Sequence, residues 1–137
     1  MPESYFNLNQ AQVDEVIVDL LRRDVPSGRT PHILEIGCGG MSTVTFGRLD
    51  HDGEIVYVLG TNIKQTGIDE TVARGLPAKL VPLNYDYTRD FKELARSRAG
   101  VVAMLGLPEI LPDIARGYAL TARDSGLWVA AFPHLEL

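Results

Sequence analysis

The chain has 137 residues, a net charge of −5, 45% hydrophobic residues and a single cysteine. This length suits one domain, spanning 1–137, and the composition excludes a disordered chain. No apolar run reaches the roughly 18 residues that a membrane-spanning helix needs, and no basic cluster exceeds a pair, so neither membrane nor nucleic-acid binding is expected. The lone cysteine and the lack of a signal-like N-terminus predict a cytoplasmic protein.

The first predicted element is an amphipathic helix that starts after Asn9, a residue type that commonly caps helices. Arg22 and Arg23 suit the carboxyl end of its dipole, and the turn formers of 26–28 stop it. Its apolar face recurs at intervals of three and four. The residues of this face are Val13, Val16, Ile17, Leu20 and Leu21.

Strands and helices then alternate along the rest of the chain. Val72 is expected to point into the core beside Ile68, and Val44 is expected to face the sheet. The last two strands are apolar throughout, which is typical of strands that are covered on both faces of a parallel sheet. The pattern predicts an α/β fold, a three-layer sandwich with helices on both faces. Strands are predicted at 32–36, 54–60, 79–83, 100–105 and 127–132, and helices at 41–49, 65–75, 89–97 and 109–122.

A glycine cluster follows the first strand, in the stretch Ile-Leu-Glu-Ile-Gly-Cys-Gly-Gly at 33–40. Such a turn lets the backbone approach a ligand, and ligands of parallel sheets bind at the carboxyl ends of the strands. Two nucleotide-binding motifs, the dinucleotide motif and the P-loop, match this stretch poorly. Ser42 stands where a dinucleotide motif has its third glycine, Asn62 stands near its expected acid, and no Gly-Lys-Ser/Thr run of a P-loop is present.

The stretch 34–39, Leu-Glu-Ile-Gly-Cys-Gly, resembles the first motif of class I S-adenosylmethionine-dependent methyltransferases, acid-x-Gly-x-Gly-x-Gly. Segments at 60–63, 83–86, 101–105 and 124–129 are similar, in order, to that family's later strands and the acidic loop after its third strand. The resemblance covers about 10–132. It implies a Rossmann-like sheet of five mostly parallel strands in the order 3-2-1-4-5, with S-adenosylmethionine as cofactor.

By the same resemblance, Glu35 would orient the amino acid end of the cofactor and Asn62 would stand beside the ribose hydroxyls. Asp86 would accept a hydrogen bond from the adenine amine, with Tyr85 or Tyr87 near the ring. Met41 departs from the motif because it replaces the third glycine, and Asn62 departs because it is neutral. The implied cofactor-binding residues are Glu35, Gly37, Cys38, Gly39, Asn62, Tyr85, Asp86 and Leu105.

Candidate catalytic residues are few. Cys38 is expected to pack rather than react, and His134, after the last strand, is the histidine to test as a general base. The histidines and the cysteine show no metal-ligand spacing, so no metal is expected. The family's amine-methylating members commonly carry Asp/Asn-Pro-Pro-aromatic after strand 4, whereas 105–108 read Leu-Gly-Leu-Pro. This difference favours O- or C-methylation of a small molecule, or no catalysis.

The family fold usually continues beyond its fifth strand with a hairpin, which this sequence lacks. Strand 5 would then be an apolar, uncharged sheet edge, and such an edge pairs readily with another strand. We therefore expect a homodimer or a partner chain there, unless the sequence is a fragment of a longer protein. Three functions stay open: a methyltransferase-like protein that acts on a small molecule, a non-catalytic scaffold acting through this edge, and a Rossmann-like nucleotide binder.

Overall fold

The computed structural model describes residues 3–137. After a 3₁₀ turn at Tyr5–Asn7, strands and helices alternate through the described part of the chain. The strands are β1 (His32–Ile36), β2 (Val56–Asn62), β3 (Ala78–Leu80), β4 (Gly100–Ala103) and β5 (Trp128–Ala130). The helices are α1 (Gln10–Asp24), α2 (Met41–His51), α3 (Gln65–Ala73), α4 (Thr88–Ala95), α5 (Leu107–Ile110) and α6 (Pro112–Asp124).

The strands form one parallel sheet in the order β3-β2-β1-β4-β5. One hydrophobic core lies between the sheet and α1 and α2, where Phe46 packs with Ile33. A second core lies on the other face under α4 and α6, where Phe91 packs with Leu34. The predicted three-layer, Rossmann-like α/β fold and its strand order are therefore confirmed.

The start of α1 follows the sequence prediction. Asn9 accepts a hydrogen bond from the backbone N–H of Gln12, and the Gln12 side chain accepts one from the Asn9 N–H, which completes a capping box. Arg22 and Arg23 occupy the last turn, near the negative end of the helix dipole. Residues 4–8 precede this cap and reach the start of α2, where the Tyr5 hydroxyl accepts the Ser42 N–H.

Two helix predictions are wrong. The helix expected at 109–122 is two helices, because Leu111 leaves the helical region and Pro112 opens α6. Proline has no N–H to donate within a helix, and it fits the first helical turn without loss. Val72 is 55% exposed rather than inward, whereas Ile68 is buried. α3 packs against β2 and β3 at one end of the sheet, so only a narrow stripe of the helix is covered.

Strand boundaries also shift. β3 ends before Pro82, and β2 begins two residues later than predicted and runs on to Asn62. β4 and β5 each end two residues earlier than predicted, at Ala103 and Ala130. On α2, Val44 is only half-buried, and the buried residues are Ser42, Thr43, Thr45, Phe46 and Leu49. None of the helices within residues 3–137 is long and apolar enough to cross a membrane.

Candidate functional site

The glycine turn, residues 37–40, joins β1 to α2 at the carboxyl edge of the sheet. The N–H groups of Gly37 and Cys38 both donate to the Thr61 carbonyl of β2, at 2.8 and 2.9 Å. Gly39 has φ of 102°, and a Cβ there would lie 2.5 Å from the Cα of Gly67 in α3. Only glycine fits at this contact, since a side chain would push α3 away from the turn.

Glu35 lies beneath the turn and is only 1% exposed. Its carboxylate accepts hydrogen bonds from the hydroxyls of Ser42 at 2.5 Å, Thr43 at 2.6 Å and Tyr57 at 2.8 Å. Thr43 Oγ1 in turn accepts the Gly39 N–H at 2.7 Å. Burial raises the pKa of Glu35, and the three hydroxyls oppose that rise. The side chain therefore holds the turn from inside, and its contact with a cofactor stays a prediction.

A groove of about 300 Å³ opens above the turn. We call it the turn groove. The start of α3 forms one side and contributes Lys64 and Glu70, which are both exposed, while Tyr5 and Phe6 form part of another side. The predicted site residues that line this groove together are Gly37, Cys38, Gly39, Asn62 and Leu105.

The N-terminal strap, residues 4–8, closes over one end of this groove. The Ser4 hydroxyl and the Tyr5 N–H donate to the two carboxylate oxygens of Glu109, both at 2.6 Å. The Tyr5 hydroxyl accepts the Ser42 N–H at 3.1 Å. The Tyr5 ring lies on Gly106, where a Cβ would come within 2.6 Å of it. Sequence reasoning missed Tyr5 and Glu109, because their partners are far away in the chain and neither belongs to a motif.

Asn62 lies at the end of β2 between two recesses. Its amide nitrogen donates to the Cys38 carbonyl at 2.7 Å, and its amide oxygen accepts the Lys64 N–H at 3.0 Å. The amide also packs on Gly67, where a Cβ would meet Asn62 Nδ2. Asn62 thus ties the glycine turn to α3 while it lines both recesses.

The second recess is an apolar crevice of about 80 Å³ at the carboxyl ends of β1, β2 and β3. Tyr87 forms part of its wall, with its hydroxyl 2.6 Å from Thr61 Oγ1, and Tyr118 packs edge-on against the Tyr87 ring. The apolar residues around it are Ile36, Ile63, Val81, Pro82, Leu83, Leu107, Leu111 and Ile114. The crevice and the turn groove share Ile36, Gly37, Asn62 and Leu107.

The structure places Asp86 and Tyr85 outside this crevice. Asp86 is exposed and accepts the N–H and hydroxyl of Thr88, at 3.0 and 2.6 Å, which lowers the pKa of its carboxyl group. The Tyr85 hydroxyl lies between Lys79 Nζ at 2.8 Å and Asp90 Oδ2 at 2.7 Å. Of the three residues expected near an adenine ring, only Tyr87 lines the crevice. A cofactor role for Asp86 and Tyr85 stays a prediction.

Reactive groups do not converge on the turn groove. The thiol of Cys38 is buried, and burial raises its pKa to about 11, so it stays protonated at neutral pH. His134 is exposed and lines another groove along β5, with Arg123 and Trp128. Within residues 3–137, no group of three His, Cys, Asp or Glu side chains is placed to hold a metal ion.

The chain thus has a Rossmann-like α/β fold with two joined recesses at the carboxyl edge of its sheet. No protein-family model and no curated protein matches the sequence. The function is therefore argued from the geometry of this site.

Proposed function

We propose that the chain is a methyltransferase-like protein that binds S-adenosylmethionine across the turn groove and the apolar crevice, and acts on a small molecule. The observation that carries this proposal is the junction of a polar recess and an apolar recess at Gly37 and Asn62. A nucleoside with an amino acid end needs both environments, side by side. The switch in strand order at this edge of the sheet is also the usual place for such ligands.

The residues of the site fit this ligand in shape and polarity. An added Cβ on Gly37 would meet no atom within 4 Å, so the turn presents open space where the recesses join. The crevice walls, Ile63 and Tyr87 among them, suit a flat base. Lys64 and Glu70 give the groove one charge of each sign, which suits a zwitterionic amino acid end.

When bound, S-adenosylmethionine supplies a methyl group activated by its sulfonium. The chain's own contribution would be to hold the ligand and its acceptor in register, because orientation alone lowers a bimolecular barrier substantially. Phe6 and Ile110 line the turn groove and are 57% and 60% exposed, so they offer apolar surface to an acceptor. Leu105 and Leu107 continue that surface inward.

Calorimetry with S-adenosylmethionine and S-adenosylhomocysteine tests the proposal. Ile63→Asp puts a carboxylate into the apolar crevice and is expected to weaken binding more than tenfold, because an ionised group is costly to desolvate. Leu80→Asp is the matched control, since Leu80 is equally exposed at 51% against 49% for Ile63 but lines neither recess. No heat and no thermal shift at millimolar ligand would reject the proposal, and an NAD-selective shift would favour a dinucleotide instead.

We further propose that the β5 edge pairs with β5 of a second copy. The same pairing would occur if the protein is a non-catalytic scaffold. The Ala130 and Phe132 carbonyls accept N–H groups of Met104 and Gly106 on the β4 side. Alternate residues of a strand point to opposite sides, so the backbone groups of Val129 face outward. At the other edge, β3 is followed by Pro82, which has no N–H to donate to a further strand.

Antiparallel pairing of two β5 strands about a twofold axis would give a closed dimer. Light scattering after size exclusion is expected to show a dimer at micromolar concentration. Val129→Lys, which places a charge on the edge, is expected to give a monomer, whereas Val58→Lys on an inner strand is not. A wild-type chain that runs as a monomer throughout this range contradicts the proposal.

A further inference from the structure

Four N–H donors at the glycine turn and the start of α2 are engaged within the protein. Gly37 and Cys38 donate to Thr61, Gly39 donates to the Thr43 hydroxyl, and Ser42 donates to the Tyr5 hydroxyl. In glycine-rich turns that bind nucleotides, such N–H groups at the start of a helix hold the phosphates. A phosphate that used these four donors would first have to break their internal hydrogen bonds.

The hydroxyls next to these donors are engaged as well. The side chains of Ser42 and Thr43, in the first turn of α2, both donate inward to Glu35. They therefore do not turn outward to meet a ligand. Because Glu35 is only 1% exposed, it holds both hydroxyls from inside the protein.

Tyr5 is the part of this arrangement that comes from outside the sheet and α2. Its hydroxyl accepts the Ser42 N–H, and its ring sits on Gly106 with only 7% of the residue exposed. Glu109 fixes the backbone of the strap through the Tyr5 N–H and the Ser4 hydroxyl. Tyr5 is thus held as a plug over the amino end of α2, on the wall of the groove.

We propose that Tyr5 is a specificity-determining residue that turns the site away from phosphate-bearing nucleotides and toward nucleosides without phosphate. The inference rests on the proposed function, since it concerns the ligand of the same groove. The hydroxyl of Tyr5 takes the Ser42 N–H, one of the donors that a diphosphate would use at the amino end of α2, and its ring fills the space above that donor. A ligand whose end is an amino acid meets the open part of the turn at Gly37 instead.

The test compares inorganic pyrophosphate, ADP and S-adenosylhomocysteine by calorimetry on the full chain and its variants. Tyr5→Ala frees the Ser42 N–H and the space above it, and is expected to strengthen pyrophosphate and ADP binding about tenfold, the value of one hydrogen bond to an anion. Tyr5→Phe frees the donor but keeps the ring, so a smaller gain is expected. Asn7→Ala is the matched control, since Asn7 is an exposed residue of the same strap that lines neither recess, and it is expected to show no gain.

Wild-type protein that binds ADP as tightly as S-adenosylhomocysteine would overturn the proposal. The absence of a gain in folded Tyr5→Phe and Tyr5→Ala would overturn it too. If Tyr5→Ala does not fold, Tyr5→Phe decides alone, because it removes a single oxygen. A pyrophosphate gain without any S-adenosylhomocysteine binding would support the inference and count only against the proposed function.

Discussion

Two carboxylates near the carboxyl edge of the sheet were assigned from the sequence to the same ligand, and the structure uses them in opposite ways. Near the end of β1, beneath the glycine turn, Glu35 is enclosed by three hydroxyls. In the loop between β3 and α4, Asp86 is exposed and accepts hydrogen bonds from the N–H and the hydroxyl of Thr88, the first residue of α4. The pKa of Glu35 is raised by burial, whereas hydrogen bonds to Thr88 lower the pKa of Asp86.

The difference shows that position at the end of a strand does not set the direction of a side chain. Glu35 faces inward because α2 brings Ser42 and Thr43 beneath the turn, where Tyr57 arrives from β2. Asp86 faces solvent because its nearest donors belong to Thr88, two residues further along. At both places the carboxylate organises the backbone, and the recesses are lined by glycine, asparagine, apolar side chains and the charged Lys64 and Glu70.

The largest effect is expected from Glu35→Ala. It leaves three buried hydroxyls without their acceptor and removes the support of the turn, so the free energy of unfolding should fall by about 3–5 kcal/mol. Urea titration followed by circular dichroism measures the loss. Glu15→Ala, an exposed change on α1, is the control and should stay within about 0.5 kcal/mol. A loss below about 1 kcal/mol for Glu35→Ala would contradict its supporting role.

Gly67→Ala should have the next largest effect. A Cβ at this position would lie 2.2 Å from Asn62 Nδ2 and 2.6 Å from the Cys38 carbonyl, so α3 must move away from the glycine turn. Overpacking of this kind costs about 1–3 kcal/mol, measured by the same titration. Gly117→Ala on α6 meets no atom within 4 Å and should be neutral or stabilising. Equal losses of stability for Gly67→Ala and Gly117→Ala would contradict a tight contact between α3 and the glycine turn.

A pH series separates the two carboxylates further. The folded pKa of Glu35 lies above its ordinary value of 4.5, so its contribution to stability is complete below that pH and is lost as the pH rises through the folded pKa. Glu35→Gln cannot ionise. The melting temperature of this variant minus that of the wild type should therefore increase as the pH rises from 4.5 to 8. A constant difference across the series would contradict the raised pKa.

The ionisable neighbours of Glu35 do not change their charge over the pH range of this melting-temperature series. Tyr57, Cys38 and Tyr5 all have pKa values raised by burial, so they stay neutral throughout the series. The pH dependence of the Glu35→Gln comparison is therefore assigned to Glu35 itself.

Asp86→Ala should have the smallest effect and the opposite pH dependence. The folded pKa of Asp86 lies below its ordinary value of 3.8, so its contribution is present above that value and is lost as the pH falls through the folded pKa. The melting temperature should drop by roughly 2 °C near pH 6, as for the loss of one helix cap, and the difference should vanish near pH 2. A larger drop in melting temperature at low pH than at pH 6 would contradict the lowered pKa of Asp86.

The fold was predictable because its signals are local and repeated. The alternation of apolar strands with amphipathic helices and the cap at Asn9 needed no knowledge of distant contacts. The split at Pro112 was visible in the sequence but was overridden by the apolar spacing of Ile110 and Ile114. Val72 was misjudged because the periodicity of a helix does not say how much of it a sheet edge can cover.

The site was predictable in its backbone and less so in its side chains. Gly37, Gly39, Asn62 and Leu105 were expected on one site, and they do line one groove. The direction of Asp86 depends on packing that no motif encodes. No sequence pattern predicts the strap, because Tyr5 makes its contacts with Ser42 in α2 and Glu109 in α5, which are distant in the chain.

The strap has a consequence for the order in which the chain folds during synthesis. Ser4 and Tyr5 bond to Glu109, at sequence separations of 105 and 104 residues. A ribosome delivers those first residues long before their partner exists, and contacts between distant segments are slow to close. The earliest part of the chain is therefore among the last to settle. A nascent chain halted before α5 would carry a glycine turn whose wall is still missing.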